Sequence, residues 1–174
     1  MRHTSDGMQI DHLAIAILRQ ADQIVMVQHR APNDHQPYWV LPGGLVEAGE
    51  FIKDALIREV QEEVGVRVIE IGALAGISQI HRPACNEQTL AFVFEVVQWQ
   101  GVFQCQDPDG KVYGVELVDL VEAIHRLQQN GGWPGVQTPL LAYLRGDVPA
   151  GTMWFYCEEP DGQRQLGVLS PAHK

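Results

Sequence analysis

Four residues near the middle of the chain, Arg58, Glu59, Glu62 and Glu63, have types and spacing that could do chemistry. On a helix, residues three and four apart are neighbours, so Glu59, Glu62 and Glu63 present their carboxylates on a single face. Like charges at that spacing destabilise a helix by roughly 0.2–0.5 kcal/mol per pair, and here a third acid crowds the pair. A hard divalent cation relieves the repulsion, because magnesium takes oxygen ligands and binds through a few carboxylates together with substrate phosphates. The chemistry implied is neutralisation of charge on a phosphoryl group and activation of a water.

The acids lie in the window Gly44–Val66, GLVEAGEFIKDALIREVQEEVGV. This window resembles the signature of the Nudix hydrolases, G-x5-E-x7-R-E-U-x-E-E-x-G-U with U aliphatic, and every fixed position is filled. Gly44, Glu50, Arg58, Glu59, Val60, Glu62, Glu63, Gly65 and Val66 supply nine constrained positions in 23 residues, far more than a lone short motif offers. The signature covers about an eighth of the chain, and the flanking Leu41-Pro42-Gly43 and strand-rich surroundings also look like the family. The resemblance implies an α/β Nudix fold, a mixed β-sheet sandwiched between α-helices. It further implies a magnesium-dependent pyrophosphohydrolase that cleaves a nucleoside diphosphate linked to another moiety: a nucleotide, a nucleotide sugar such as ADP-ribose, or a nucleoside triphosphate.

By the same resemblance Glu59, Glu62 and Glu63 bind the metal and carry the catalysis, with magnesium as the cofactor and manganese as its substitute. The backbone carbonyl of Gly44 completes the site. Arg58 and Glu50 form an ion pair that ties the loop to the helix and orients the metal ligands. Hydrolysis also needs a base to take a proton from the attacking water. Some relatives use a glutamate inside the signature, here Glu59; others use an acid on a later segment. Lys111 and Gly114 align where many relatives carry that later glutamate, which leaves Asp107, Asp109 and Glu116 as substitutes and favours a base within the signature.

These residues must be positioned by the elements around them. Ile52, Leu56, Val60 and Val64 recur every four residues, so 51–64 reads as an amphipathic helix whose apolar stripe runs beside the acidic row, and Gly65 stops it. Pro42-Gly43-Gly44 lets the backbone bend and come close to a ligand. Residues 10–18 and 23–29 read as a hairpin turning at 19–22, and 38–41 as a short strand. Strands follow at 66–80 and 88–97, separated by a loop over 81–86, and another at 112–118. The loop 104–111, with Asp107-Pro108-Asp109-Gly110, reads as an exposed turn. Helices are expected at 121–129, ending at Asn130-Gly131-Gly132, and at 137–144. One domain over 1–174 is expected, with its core at about 8–145 and a hairpin-like extension at about 146–174, where Met153-Trp154-Phe155-Tyr156 pack onto the sheet, cover the site or form a dimer seam.

With 174 residues, 45% hydrophobic and 20% charged, the chain has enough material for one core. A net charge of −10 argues against a nucleic-acid polymer as partner, which clustered Lys and Arg would hold, but permits a small anionic substrate where a metal reverses the local sign. The apolar run 13–18 is too short to span a bilayer and no signal sequence precedes it, so a cytoplasmic protein without a membrane partner is expected. Cys85, Cys105 and Cys157, without zinc-ligand spacing, read as reduced buried thiols.

Substrate choice is less legible. Arg30 and Arg82, with His81, could meet phosphates or a terminal group, and Tyr38, Trp39, Phe92 and Trp133 could stack a base, although each aromatic is more often packing. Pro83 stands seventeen residues after Val66, near the place where ADP-ribose pyrophosphatases often carry a proline. The reading leaves room for a homodimer. Its rivals are a non-catalytic Nudix module that senses a nucleotide, which would not need its acids, and a Nudix-fold isomerase on isopentenyl diphosphate, whose members usually depart from the signature.

Overall fold

Period-two alternation decides the architecture. The computed structural model describes residues 3–5, 7–30, 37–105, 108, 110–129, 133–159 and 161–171. Along β2 (Met8–Gln20), Ala14, Ala16 and Leu18 are buried on one face and Ile17 on the other; along β3 (Gln23–His29), Val25 and Val27 oppose Ile24 and Met26. Strands buried on both sides need a helix on each face. Helix α1 (Ile52–Glu63) covers one face through Ala55, Leu56 and Val60. Helices α2 (Leu120–Gln129) and α3 (Pro134–Leu144) cover the other through Ala123, Leu127, Leu140 and Leu144.

The remaining strands are β1 (His3–Ser5), β4 (Tyr38–Val40), β5 (Gly43–Leu45), β6 (Arg67–Arg82), β7 (Glu87–Gln100), β8 (Val112–Asp119), β9 (Thr152–Glu159) and β10 (Gly162–Leu169). They order as β10-β9-β6-β7-β2-β3-β4, with β1 and β5 also pairing with β2 and β8 with β3. The pairs β2–β7 and β6–β9 are parallel and the others antiparallel, so the sheet is mixed and the fold is α/β, as expected.

Several boundaries differ from the expectation for identifiable reasons. The turn after β2 shrinks to Ala21-Asp22, with Ala21 at φ 52°, because Arg19 and Gln20 pair with Ile24 and Gln23. His81 and Arg82 belong to β6 rather than to a loop, since they pair with Gln88 and Glu87; the reversal is a 3-10 turn, Pro83–Cys85, closed by left-handed Asn86. Helix α3 begins at Pro134 instead of Gln137, as a proline in the first turn needs no amide partner. Cys85 corrects the expectation of buried thiols: it is exposed on the 3-10 turn, whereas Cys105 and Cys157 are half-buried. Asn130, Gly131 and Gly132, expected to end α2, lie outside the described residues.

The segment 153–156 packs onto the sheet. Strand β9 pairs in parallel with β6, and Trp154 and Tyr156, stacked with ring centroids 6.4 Å apart, are buried with Ile80 beneath the start of α3. Among the described residues, no helix is long and apolar enough to cross a membrane.

Candidate active site

The site is built from β5 and α1, and the glycines decide how closely they meet. Strand β5 pairs with β2, placing Gly43 opposite Ile15 and Gly44 opposite Ala14. A Cβ on Gly43 would lie 2.3 Å from the Ala14 carbonyl oxygen, and one on Gly44 would lie 2.5 Å from the Glu59 carboxylate. Backbone closes the first gap to any side chain, whereas the second is filled by the Glu59 carboxylate itself, which lies directly against the Gly44 backbone. Glu63, buried at 6% exposure, accepts a hydrogen bond of 2.8 Å from the Gly43 amide. Gly65 then ends the helix at φ 82°, where a Cβ would strike Gln104 as the chain crosses back over α1.

Arg58 organises the acids. Its Nε and Nη2 donate to the two oxygens of Glu50 at 3.0 Å each, Nη2 also donates to the Leu45 carbonyl at 2.9 Å, and Nη1 donates to Glu59 at 2.6 Å. Glu62 stands 3.5 Å from Nη1. Glu50 is further fixed by the Glu47 amide at 3.0 Å. A guanidinium bridging in this way ties the Glu50 loop to the helix and sets Glu59 and Glu62 beside it, so the expected ion pair of Arg58 with Glu50 is present.

The electrostatics separate the acids. Hydrogen bonds from Arg58 hold the Glu50 carboxyl below its ordinary value, against the effect of burial. Glu59 goes the other way: burial raises it, and the hydrogen bond from Arg58 only partly opposes the rise. Arg58 itself is pushed further into its charged form, chiefly by Glu50. Burial thus makes the Glu59 carboxylate, free of metal, a better proton acceptor than an exposed glutamate.

Among the described residues, no group of three or more His, Cys, Asp or Glu side chains is gathered for a metal as the side chains lie, because Glu59 faces Arg58 and Glu63 faces Gly43. The donor set nonetheless suits a hard cation. Carboxylate oxygens from successive turns of one helix, Glu59 and Glu63, lie beside the glycine backbone of β5, oxygen donors of the kind such a cation takes.

The other candidates lie elsewhere. Arg30, just after β3, hydrogen-bonds through its amide to Lys111 and stands over Tyr113 at 5.7 Å. Arg82, at the far end of β6, pairs with Glu87 at 2.7 Å and lies over Trp133 at 4.7 Å. Gly44 is level with Ala14, Phe92 and Ile77 across the sheet, so Arg82 is five residues further along and roughly 17 Å away in that direction alone. Glu116 is engaged by Arg126 at 2.8 Å, on the face that α2 covers. Asp107 and Asp109 lie outside the described residues. The aromatics are half-buried and partnered: Tyr38 by His29, Phe92 by His12, Trp39 by Arg126 and Trp133 by Arg82. Sequence reasoning missed Gly43, whose amide holds Glu63; its glycine was noted, but not the hydrogen bond. It also missed Arg126, for which spacing carries no signal.

Comparison with known proteins shows the family. Residues 9–140 match the family described as the NUDIX domain. The chain is 34% identical over 130 residues to CTP pyrophosphohydrolase of Escherichia coli strain K12, covering 70% of this chain and 96% of that protein. It is 29% identical over 90 residues to ADP-ribose pyrophosphatase of Methanocaldococcus jannaschii, covering 49% of this chain but only 53% of the archaeal protein's length. The crystal structure of a MutT protein from Bacillus halodurans superposes with a TM-score of 0.64 at 22% identity, covering 91% of this chain and 96% of that one, a likeness of fold.

Proposed function

The chain belongs to the Nudix family, and from that premise we propose that it is a magnesium-dependent pyrophosphohydrolase acting on a nucleoside diphosphate linked to a further group. The observation that supports this best is the close approach of the acidic helix to a side-chain-free backbone, with Glu59 against Gly44 and Glu63 on the Gly43 amide. A packing helix has no need to bury glutamates there. The relatives named as a CTP pyrophosphohydrolase and an ADP-ribose pyrophosphatase share one chemistry, hydrolysis within a nucleotide's phosphoanhydride chain.

Glu59, Glu62 and Glu63 would hold magnesium, or manganese in its place, with the Gly44 carbonyl. When bound, the ion neutralises phosphoryl oxygens and lowers the pKa of water. The remaining work falls to the chain. Arg58, fixed by Glu50 and the Leu45 carbonyl, orients Glu59 and so supports the acids that would hold the metal. Glu59, the base candidate within the signature, would accept the proton of the attacking water as the anhydride P–O bond breaks to release a monophosphate and a phosphorylated remainder. An acidic protein of net charge −10 has little to offer a nucleic-acid polymer, so the substrate is a small molecule.

The test is a panel of ADP-ribose, dinucleoside polyphosphates and nucleoside triphosphates, incubated with magnesium and scored by product mass. At least one member should turn over with magnesium and none in EDTA. Hydrolysis undiminished in metal-free buffer, or tight binding of a nucleotide with no turnover of any member, would overturn the assignment; the second result would make the protein a sensor.

A further inference from the structure

Arg126 lies on α2, apart from the acidic helix, yet its contacts converge on the strand that leads into the glycine loop. Its guanidinium carbon sits 4.5 Å from the centre of the Trp39 ring. Two carboxylates hold it in that position: Glu122, one turn earlier on α2, accepts from Nε at 2.7 Å, and Glu116 on β8 accepts from Nη1 at 2.8 Å. Burial works against the charged guanidinium, but the hydrogen bonds it donates to Glu122 and Glu116 outweigh that effect and keep Arg126 protonated. A cation fixed over an aromatic face restrains the ring as well as itself.

Trp39 is the central residue of β4, a strand of only three residues that pairs with the end of β3. Leu41 and Pro42 follow at once, and then Gly43, whose amide donates to Glu63. On its far side the loop is tied to β2, through the Ala16 amide on the Pro42 carbonyl and through β5. On its near side the restraint comes through β4, and a three-residue ladder is weak unless its side chains are held.

We propose that Arg126 is a positioning residue for the active site: by clamping Trp39 between α2 and β8 it fixes β4, and so holds the Gly43 amide where it orients the Glu63 carboxylate. The same clamp accounts for Glu116, whose carboxylate serves Arg126 instead of a water. The part that concerns metal binding rests on the pyrophosphohydrolase reading; the part that concerns the Gly43 amide does not.

The experiment measures two quantities on the full chain for Arg126→Leu, Arg126→Met, Arg126→Lys and Trp39→Leu: hydrogen exchange at the Gly43 amide, referenced to the β7 amide of Ala91 for global opening, and magnesium affinity by calorimetry. Arg126→Leu should lose about three- to thirtyfold in Gly43 protection relative to Ala91, and in magnesium affinity by a similar factor. Lysine should recover part of the loss and the equally long but uncharged methionine none of it. The double variant Arg126→Leu/Trp39→Leu should lose no more than Trp39→Leu alone. Rescue by methionine, additivity of the two losses, or unchanged Gly43 protection would overturn the proposal. Lost protection in a protein that binds no magnesium would leave the positioning role standing and remove the pyrophosphohydrolase reading.

Discussion

Helices α1 and α3 do the same packing job on opposite faces of one sheet, yet they are composed in opposite ways. Helix α3, PGVQTPLLAYL, contains no charged residue and buries Gly135, Pro139, Leu140 and Leu144. Helix α1, IKDALIREVQEE, buries Ala55, Leu56 and Val60 but also Glu63, and it has no basic residue in its last turn. Acids at a helix C-terminus oppose the helix dipole, and a buried carboxylate loses its hydration. Stability alone would select a sequence like α3, so α1 tolerates its acids for what they do. The comparison separates residues that hold the fold from residues that the fold holds.

The largest effect expected is on rate. Glu62→Gln and Glu63→Gln should each lower kcat by about 100- to 1,000-fold at saturating magnesium, with a melting temperature at or above that of the parent. Steady-state kinetics beside thermal unfolding check this; near-parental rates in both variants would erase the distinction between the helices. The mirror-image change lies on α3. Leu140→Ala should cost about 2–3 kcal/mol in urea unfolding while kcat stays within about twofold, since it empties core space on the face of the sheet opposite α1.

A smaller effect sharpens the contrast at α1 and the loop that leads into it, because two of the acids around Arg58, Glu50 and Glu59, titrate in opposite senses. Glu50 is held below the ordinary 4.5, so it contributes stability that is present above that value and lost as pH falls through its lowered one. Glu59 is raised above 4.5, so the folded protein is the better proton binder there and loses stability as pH rises through the raised value. In metal-free buffer, Glu50→Gln should therefore flatten the acid limb of the stability curve at a cost of about 1 kcal/mol at pH 7, whereas Glu59→Gln should remove the loss on the rising side. Urea midpoints from pH 3 to 8 would show it; parallel curves for the two variants would contradict the assignment.

The smallest effects should come from the acids outside the signature. Glu116→Gln should lower the rate by no more than about tenfold, through Arg126, and Asp107→Asn and Asp109→Asn by less. General-base catalysis typically contributes about 100- to 10,000-fold, so a fall of that size in any of them, with metal affinity unchanged, would move the base out of α1.

What the sequence revealed and what it concealed follow one physical division. Helix α1 was legible because Ile52, Leu56, Val60 and Val64 repeat with the period of a helix, and the β2–β3 hairpin because its turn is local. The acidic residues were legible because their spacing is itself the signal. Strand β5 was not: Gly43-Gly44 reads as a bend, and becomes a strand only because β2 approaches to a distance that excludes a Cβ. Glu63 on the Gly43 amide and Arg126 on Trp39 join residues far apart in the chain, which no local period encodes. The ends of β6 and β7 were missed for the same reason, since Arg82 is a strand residue only by virtue of pairing with Glu87.

The parallel ladder between β2 and β7 has a consequence for how the molecule comes into being. It runs from Gln9 opposite Glu87 to Leu18 opposite Val96, and so encloses β3, β4, β5, α1 and β6 within a single closed loop of chain. The entropy of closing that loop is lost before most of its contacts form, which places the protein among slow folders whose rates are set by non-local pairing. Strand β5 and the carboxylates of α1 that lie against it are both within that loop. Refolding of the whole chain is therefore expected to be slower than formation of α1 or of the β2–β3 hairpin by itself.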